Sequence, residues 1–313
     1  MTESIIKVID LVPGKRAPLT TVQANSLGEE AFWSEFVCKH IPVVVKGAAA
    51  GWWALERWQR AGYLENLCAD EIVDMWSTFN PAPVLDNATA RLQKLVDGIE
   101  TMRNAPDDAT YSIPAMPVPE RWQPDLGGYS FFGKTHERAP LWYPGKRLFV
   151  YKNASTEWHY HPLDETITTQ LVGSKRFSLF RLTAENWQAF VPLIEANWHH
   201  LSCRGHFFPK EASIVKYEGV LEPGDAVYIP PFWWHGTDPA DTDVGVTLAH
   251  CFRSPVRRFG AWGEPATQQL ISVVARSHKM WLLPLLTLVA VSSLGRQLHR
   301  EKWWPMSPGA RIQ

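Results

Sequence analysis

Six short runs between residues 147 and 252 constrain this chain most: RLFVYKN, ETITTQLVG, KRFSLFRL, SIVKYEGV, DAVYIPP and VGVTLAHCF. Each is rich in β-branched or aromatic residues, and turn residues stand between them. Many short strands with turns predict an antiparallel barrel or sandwich. A length of 313 residues is compatible with one elaborated barrel carrying added helices.

The flanks read differently. Residues 26–40 place Ser26 and Glu29 in capping-box spacing and Phe32, Trp33, Phe36 and Val37 on one face, which predicts a helix. IPVVVKGAAAG predicts a buried strand and a turn, and helical pieces are expected over 55–68 and 88–104. Residues 104–128 are rich in Pro and Asp and predict a surface loop or lid. The tail from 256 reads as helical. Its apolar stretch MWLLPLLTLVAVSSL, residues 280–294, is shorter than the roughly 18–20 residues that span a bilayer. A homodimer through this tail is therefore expected, and a membrane role is not.

Charge is balanced, 31 Lys+Arg against 32 Asp+Glu, with no basic run to track a phosphate backbone. Nucleic acid is not indicated. Cys38, Cys68, Cys203 and Cys251 are scattered and form no CxxC pair, and the N-terminus lacks the pattern of a secretory signal. A cytoplasmic protein with reduced thiols is expected. Most of the sixteen tryptophans read as packing.

Two phrases carry chemistry. In EWHYHPLDE, residues 157–165, strand alternation sends His159 and His161 to one face and Tyr160 to the other. Such a pair chelates iron, zinc, copper or nickel once a further ligand arrives. In GDAVYIPPFWWH, residues 224–235, a Gly-Asp turn, an apolar strand and a Pro-Pro break lead to His235, a candidate for that ligand.

EPGDAVYIPPFWWH resembles the JmjC-like branch of the cupin superfamily. This branch comprises iron(II)- and 2-oxoglutarate-dependent oxygenases, among them the asparaginyl hydroxylase acting on hypoxia-inducible factor. FWSEFVCKHIPVVVKGAAAGWWAL and QLVGSKRFSLF are similar to further family phrases, so the resemblance covers residues 20–255. It implies a mainly β fold, a double-stranded β-helix (cupin/JmjC jelly roll) with helical N-terminal and C-terminal elements. The corresponding divisions are an N-terminal elaboration over 1–130, a barrel core over 131–255 and a helical region over 256–313. It also implies Fe(II), 2-oxoglutarate, O2 and a second substrate that is a small metabolite, an amino acid or a protein side chain. Lys175 would meet the distal carboxylate of 2-oxoglutarate, helped by Thr156 and by Thr168.

The chain departs from the family at the metal. The family usually shows His-x-Asp or His-x-Glu, whereas this chain shows His-x-His. Either His161 takes the carboxylate's place beside His159 and His235, or Glu165 completes the site in the broader cupin manner. Counting back from Gln170 and Gly173 brings Thr166 into the inward register instead. His250, Gln170 and Trp234 are expected to support the ligands from behind. Trp158, Phe232 and Trp233 would keep the site apolar, while Asp164 reads as a loop cap and His199, His200 and His206 as loop histidines. Two other functions compete with the oxygenase. One is a three-histidine dioxygenase or isomerase without 2-oxoglutarate, which has no need of Lys175. The other is a non-catalytic JmjC-like binding module.

Overall fold

The β-rich runs become strands that pair into two facing sheets. The computed structural model describes residues 7–68, 71–77, 90–133, 137–140, 143–161, 164–193, 202–203, 208–210, 212–241, 243–253 and 262–300. The histidines expected in loops at 199, 200 and 206 lie outside these residues. Strands β1 (Lys15–Pro18), β2 (Thr21–Gln23), β3 (Val43–Lys46), β4 (Ile72–Trp76), β5 (Ala90–Lys94) and β6 (Tyr111–Pro117) come from the N-terminal part. They are followed by β7 (Lys146–Lys152), β8 (Thr156–His159), β9 (Glu165–Val172), β10 (Lys175–Arg181) and β11 (Ser202–Cys203). Last come β12 (Val215–Leu221), β13 (Ala226–Ile229), β14 (Trp233–Pro239) and β15 (Gly245–Phe252).

One sheet has the order β1-β12-β10-β14-β8-β11 and the other β2-β3-β13-β9-β15-β7-β6-β4-β5. Pairing within the jelly-roll core is antiparallel; the added strands β1 and β2 join in parallel. The inner faces of the two sheets enclose a cavity, and their outer faces carry helices. Behind the smaller sheet, Trp158, Phe180, Phe208 and Trp234 pack with Val273 and Val289 of the C-terminal helices Pro265–Ser277 and Leu282–Arg300. Behind the larger sheet, Leu148, Val150, Val246 and Leu248 pack with Ile99 and Met102 of the helix Leu95–Asn104. Each buried aliphatic or Phe side chain of this kind is worth about 1.5–3 kcal/mol, so these two clusters hold the strands in place. The fold is mainly β with added helices, as expected of a cupin jelly roll.

The flanks correct several expectations. The helix at 26–40 shortens to Glu29–Val37, its second part wound as a wider π-helix. Gly28 stands at its N-cap, and the Ser26 hydroxyl donates to the Gln23 carbonyl instead of capping it. Residues 88–104 divide: Ala90–Lys94 pairs with Ile72–Trp76, and Leu95–Asn104 alone is helical. The mostly exposed ARLQK segment gains backbone partners at a sheet edge, and tertiary pairing overrides its helical tendency. The Pro-rich stretch is not all loop, because Tyr111–Pro117 pairs with β7. A register shift between Ile113 and Met116 and a positive φ at Ala115 absorb Pro114 into the sheet.

Among the described residues no helix is long and apolar enough to cross a membrane. Met280, Leu283, Val291 and Leu294 stand exposed on the tail, and the expectation of a homodimer rests on this face.

Candidate metal centre and cavity

Strand alternation builds the site. Along residues 158–161, Trp158 and Tyr160 enter the aromatic cluster, while His159 and His161 turn inward to line the cavity. His235 lies directly opposite His159 in the β14–β8 ladder, and their ring centroids are 4.0 Å apart. His161 stands 5.2 Å from His159 and 4.9 Å from His235 by the same measure. One ring nitrogen from each of the three lies within 4.8 Å of the others.

Local turns bring the two phrases together. Gly224 has φ +96, a conformation that disfavours a side chain. The Asp225 carboxylate accepts the Glu222 and Gly47 backbone N–H groups at 2.9 and 3.0 Å, which seats β13 beside β3. After the Pro-Pro break the Phe232 N–H donates to the His161 carbonyl at 2.9 Å. That bond ties the loop preceding His235 to the loop carrying His161.

The imidazoles are prepared for a cation. Nδ1–H of His159 donates to the Glu157 carbonyl at 2.8 Å, and Nδ1–H of His235 donates to the Trp233 carbonyl at 2.9 Å. These bonds leave the Nε2 lone pairs of both rings available. Nδ1 of His161 pairs with the Thr166 hydroxyl at 2.9 Å, and its Nε2 is buried with no hydrogen-bond partner among the described residues. Desolvation is the main reason that all three are held neutral: His159 is pushed down to about 4, and His161 and His235 lie well below the usual imidazole range. The Arg147 guanidinium adds to the depression at each ring. Three neutral, converging imidazoles, one with an orphaned buried nitrogen, fit a divalent transition metal.

Lys175, Thr156 and Thr168 line the same cavity. Lys175 is buried, and its Nζ rests 3.8 Å from the centre of the Tyr151 ring. It has no hydrogen bond or ion pair to a described residue. Burial pushes the ammonium down to about 7, with Asp238 pulling the other way. Gln170 supports this end: its Nε2 donates to the Tyr151 hydroxyl at 2.9 Å, and its Oε1 accepts from Thr247 at 2.8 Å.

Three expected residues lie elsewhere. Glu165 is outside the donor cluster, because the alternation that points Thr166 and Thr168 into the cavity turns Glu165 away. His250 follows the cavity-lining Ala249 and so faces outward, where it meets Glu137 at 2.8 Å and stacks beside Tyr129. Trp234 alternates with His235 and belongs to the aromatic cluster behind the sheet. Asp164 accepts the Tyr143 backbone N–H at 3.0 Å, a loop contact of the expected kind. Tyr143 and Arg147 were not anticipated. Arg147, Phe149 and Tyr151 alternate along β7, so the period of two in RLFVYKN identifies them once one inward residue is known.

The cupin-like domain family matches residues 29–255. The chain is similar to tRNA wybutosine-synthesizing protein 4 of Gibberella zeae, at 33% identity over 31% of this chain and 9% of that protein. It is also similar to lysine-specific demethylase JMJ30 of Arabidopsis thaliana, at 22% identity over 73% of this chain and 54% of that protein. The chain thus spans about half or less of the length of these relatives. The jelly roll and the three-histidine cluster fit an iron-dependent oxygenase family. With a match that spans most of its length and both facing sheets in place, the chain belongs to the cupin-like domain family, in its JmjC-like branch.

Proposed function

We propose that this chain is an iron(II)- and 2-oxoglutarate-dependent oxygenase that hydroxylates a carbon of a small metabolite, an amino acid or a protein side chain. The observation that carries this reading is Lys175, a buried side chain that lines the histidine cavity with the Tyr151 ring against its Nζ and no ion pair to a described residue. A buried cation of this kind calls for an anion, and a dicarboxylate reaching from the metal donors to Lys175 supplies one.

His159, His161 and His235 would hold iron(II), which supplies the dioxygen and one-electron chemistry that side chains lack. In the overall reaction 2-oxoglutarate loses CO2 and becomes succinate. One oxygen atom of O2 enters succinate and the other enters the product hydroxyl. Lys175 and Thr156 grip the distal carboxylate and fix the orientation of the cosubstrate. Phe149, Phe177 and Ile229 line the walls and limit water. Thr166 holds the His161 ring through Nδ1.

The cytoplasm is the compartment we infer, in keeping with Cys38, Cys68 and Cys251 as free thiols. A homodimer through the C-terminal helices would cover their exposed apolar side chains.

The donor set favours one competing reading, a three-histidine cupin enzyme that uses no 2-oxoglutarate. Succinate formation with iron(II), measured against 2-oxoglutarate concentration, separates the two. Lys175→Ala should raise the concentration required by at least about tenfold, the size of one charge-assisted contact. An unchanged dependence would leave the three-histidine reading.

A further inference from the structure

Arg147 is a second buried cation of the cavity. It sits on β7 opposite Ala249 of β15, and its guanidinium carbon lies over Tyr143, 3.9 Å from the ring centre, with Phe149 at 5.6 Å. The residue is only 8% exposed. Its hydrogen bonding to described residues is one weak contact with Cys251 Sγ at 3.7 Å, and its Nε is buried without a partner. No described carboxylate lies within ion-pairing distance of it, and none lines the cavity, whose formally charged lining residues are Arg147 and Lys175.

The two cations occupy different ends. Tyr151, under the Lys175 ammonium, is four residues along β7 from Arg147, or about 13 Å of strand. Lys175 can shed its proton when nothing faces it, but a guanidinium cannot, so Arg147 stays charged with the Tyr143 ring and one weak sulfur contact in place of an anion. A 2-oxoglutarate held by the metal donors and Lys175 has both carboxylates engaged. Three neutral imidazoles around a divalent ion also bring one negative charge fewer than two imidazoles and a carboxylate.

We propose that Arg147 receives a carboxylate of the molecule to be oxidised, which is therefore a small carboxylic acid. The inference rests on the cosubstrate reading above and specifies its second substrate. The Tyr143 ring beneath the guanidinium carbon restrains the side chain within the cavity, and its planar fork suits bidentate carboxylate recognition.

The test uses the full chain loaded with manganese(II) and saturated with 2-oxoglutarate. It is titrated calorimetrically with propanoate, benzoate, phenylacetate and N-acetyl-leucine, each against its amide. At least one acid should bind about tenfold or more tightly than its amide. Arg147→Gln should abolish that preference while changing 2-oxoglutarate affinity by less than about twofold, and Lys175→Met should do the reverse. The proposal is overturned if no acid is preferred to its amide. It is equally overturned if R147Q keeps the preference, or if it weakens 2-oxoglutarate as much as K175M does. Should R147Q not fold, R147K replaces it: loss of the fork should weaken the acids by at least about threefold, and an unchanged affinity overturns the proposal. The titrations are repeated without 2-oxoglutarate. A chain that binds no 2-oxoglutarate but selects acids through Arg147 then defeats the cosubstrate reading and leaves this subsite standing.

Discussion

The two sheets that face each other across the cavity contribute different chemistry. The smaller sheet carries His159, His235 and Lys175, on strands whose outer faces are packed by Trp158, Phe180 and Trp234. The larger sheet contributes the hydroxyls of Thr166, Thr168 and Thr247 and the guanidinium of Arg147. His161 bridges them, leaving the end of β8 to meet Thr166 on β9. Metal donors must hold sub-ångström positions, which a densely packed aromatic backing provides. Hydroxyls and an arginine held over the Tyr143 ring suit the recognition of ligands from the opposite wall. The smaller sheet thus brings the histidine donors together with Lys175 and Thr156, and the larger sheet faces them with Arg147 and the hydroxyls of Thr166, Thr168 and Thr247.

Damage to the smaller sheet should therefore cost most. His235→Ala should lose bound iron and at least about a hundredfold in succinate production, because a direct bond is removed rather than a support. Iron per chain and succinate yield check it, and full iron retention would break the comparison.

A bridging change should cost less. Thr166→Val keeps the volume but removes the partner of His161 Nδ1, and iron affinity should fall about tenfold. A fall as large as that of His235→Ala would place Thr166 among the donors' equals.

The pH dependence of cosubstrate binding probes the Lys175 end. Its free-state value of about 7 means that below neutrality the ammonium is already present. Above neutrality, a proton must be taken up on binding. The dissociation constant of 2-oxoglutarate should be nearly flat below about pH 6. Between about pH 7 and 8 it should rise by up to about tenfold. Lys175→Met should flatten that rise, and an unaltered profile in the variant would assign it to another group.

The smallest effect is expected at Glu165, on the outer side of β9. Glu165→Gln should change bound iron and turnover by less than about twofold. Release of iron comparable to that of His161→Ala would restore Glu165 to the metal site.

Much of this was legible because it is local. The three histidines were marked by two phrases and a spacing, Lys175, Thr156 and Thr168 by the family resemblance, and all six line one cavity. The Thr166 register followed from counting back along a strand. Where expectation failed, at residues 90–94 and 111–117, the strands formed because partners distant in sequence were available at a sheet edge. His250 was expected beside the metal from its position in the family resemblance and Trp234 from its place next to His235, but neighbouring strand residues point to opposite faces, and Ala249 and His235 take the inward positions.

By itself, the amino-acid sequence determined the alternation of each strand, the Gly-Asp and Pro-Pro turns and the donor types at 159, 161 and 235, since backbone geometry sets these within a few residues. Only the tertiary structure decided which strands face each other. It placed His235 opposite His159, turned Glu165 outward and left Arg147 with no carboxylate among the described residues. Those outcomes depend on register and packing between segments up to about a hundred residues apart, which the strand period does not encode.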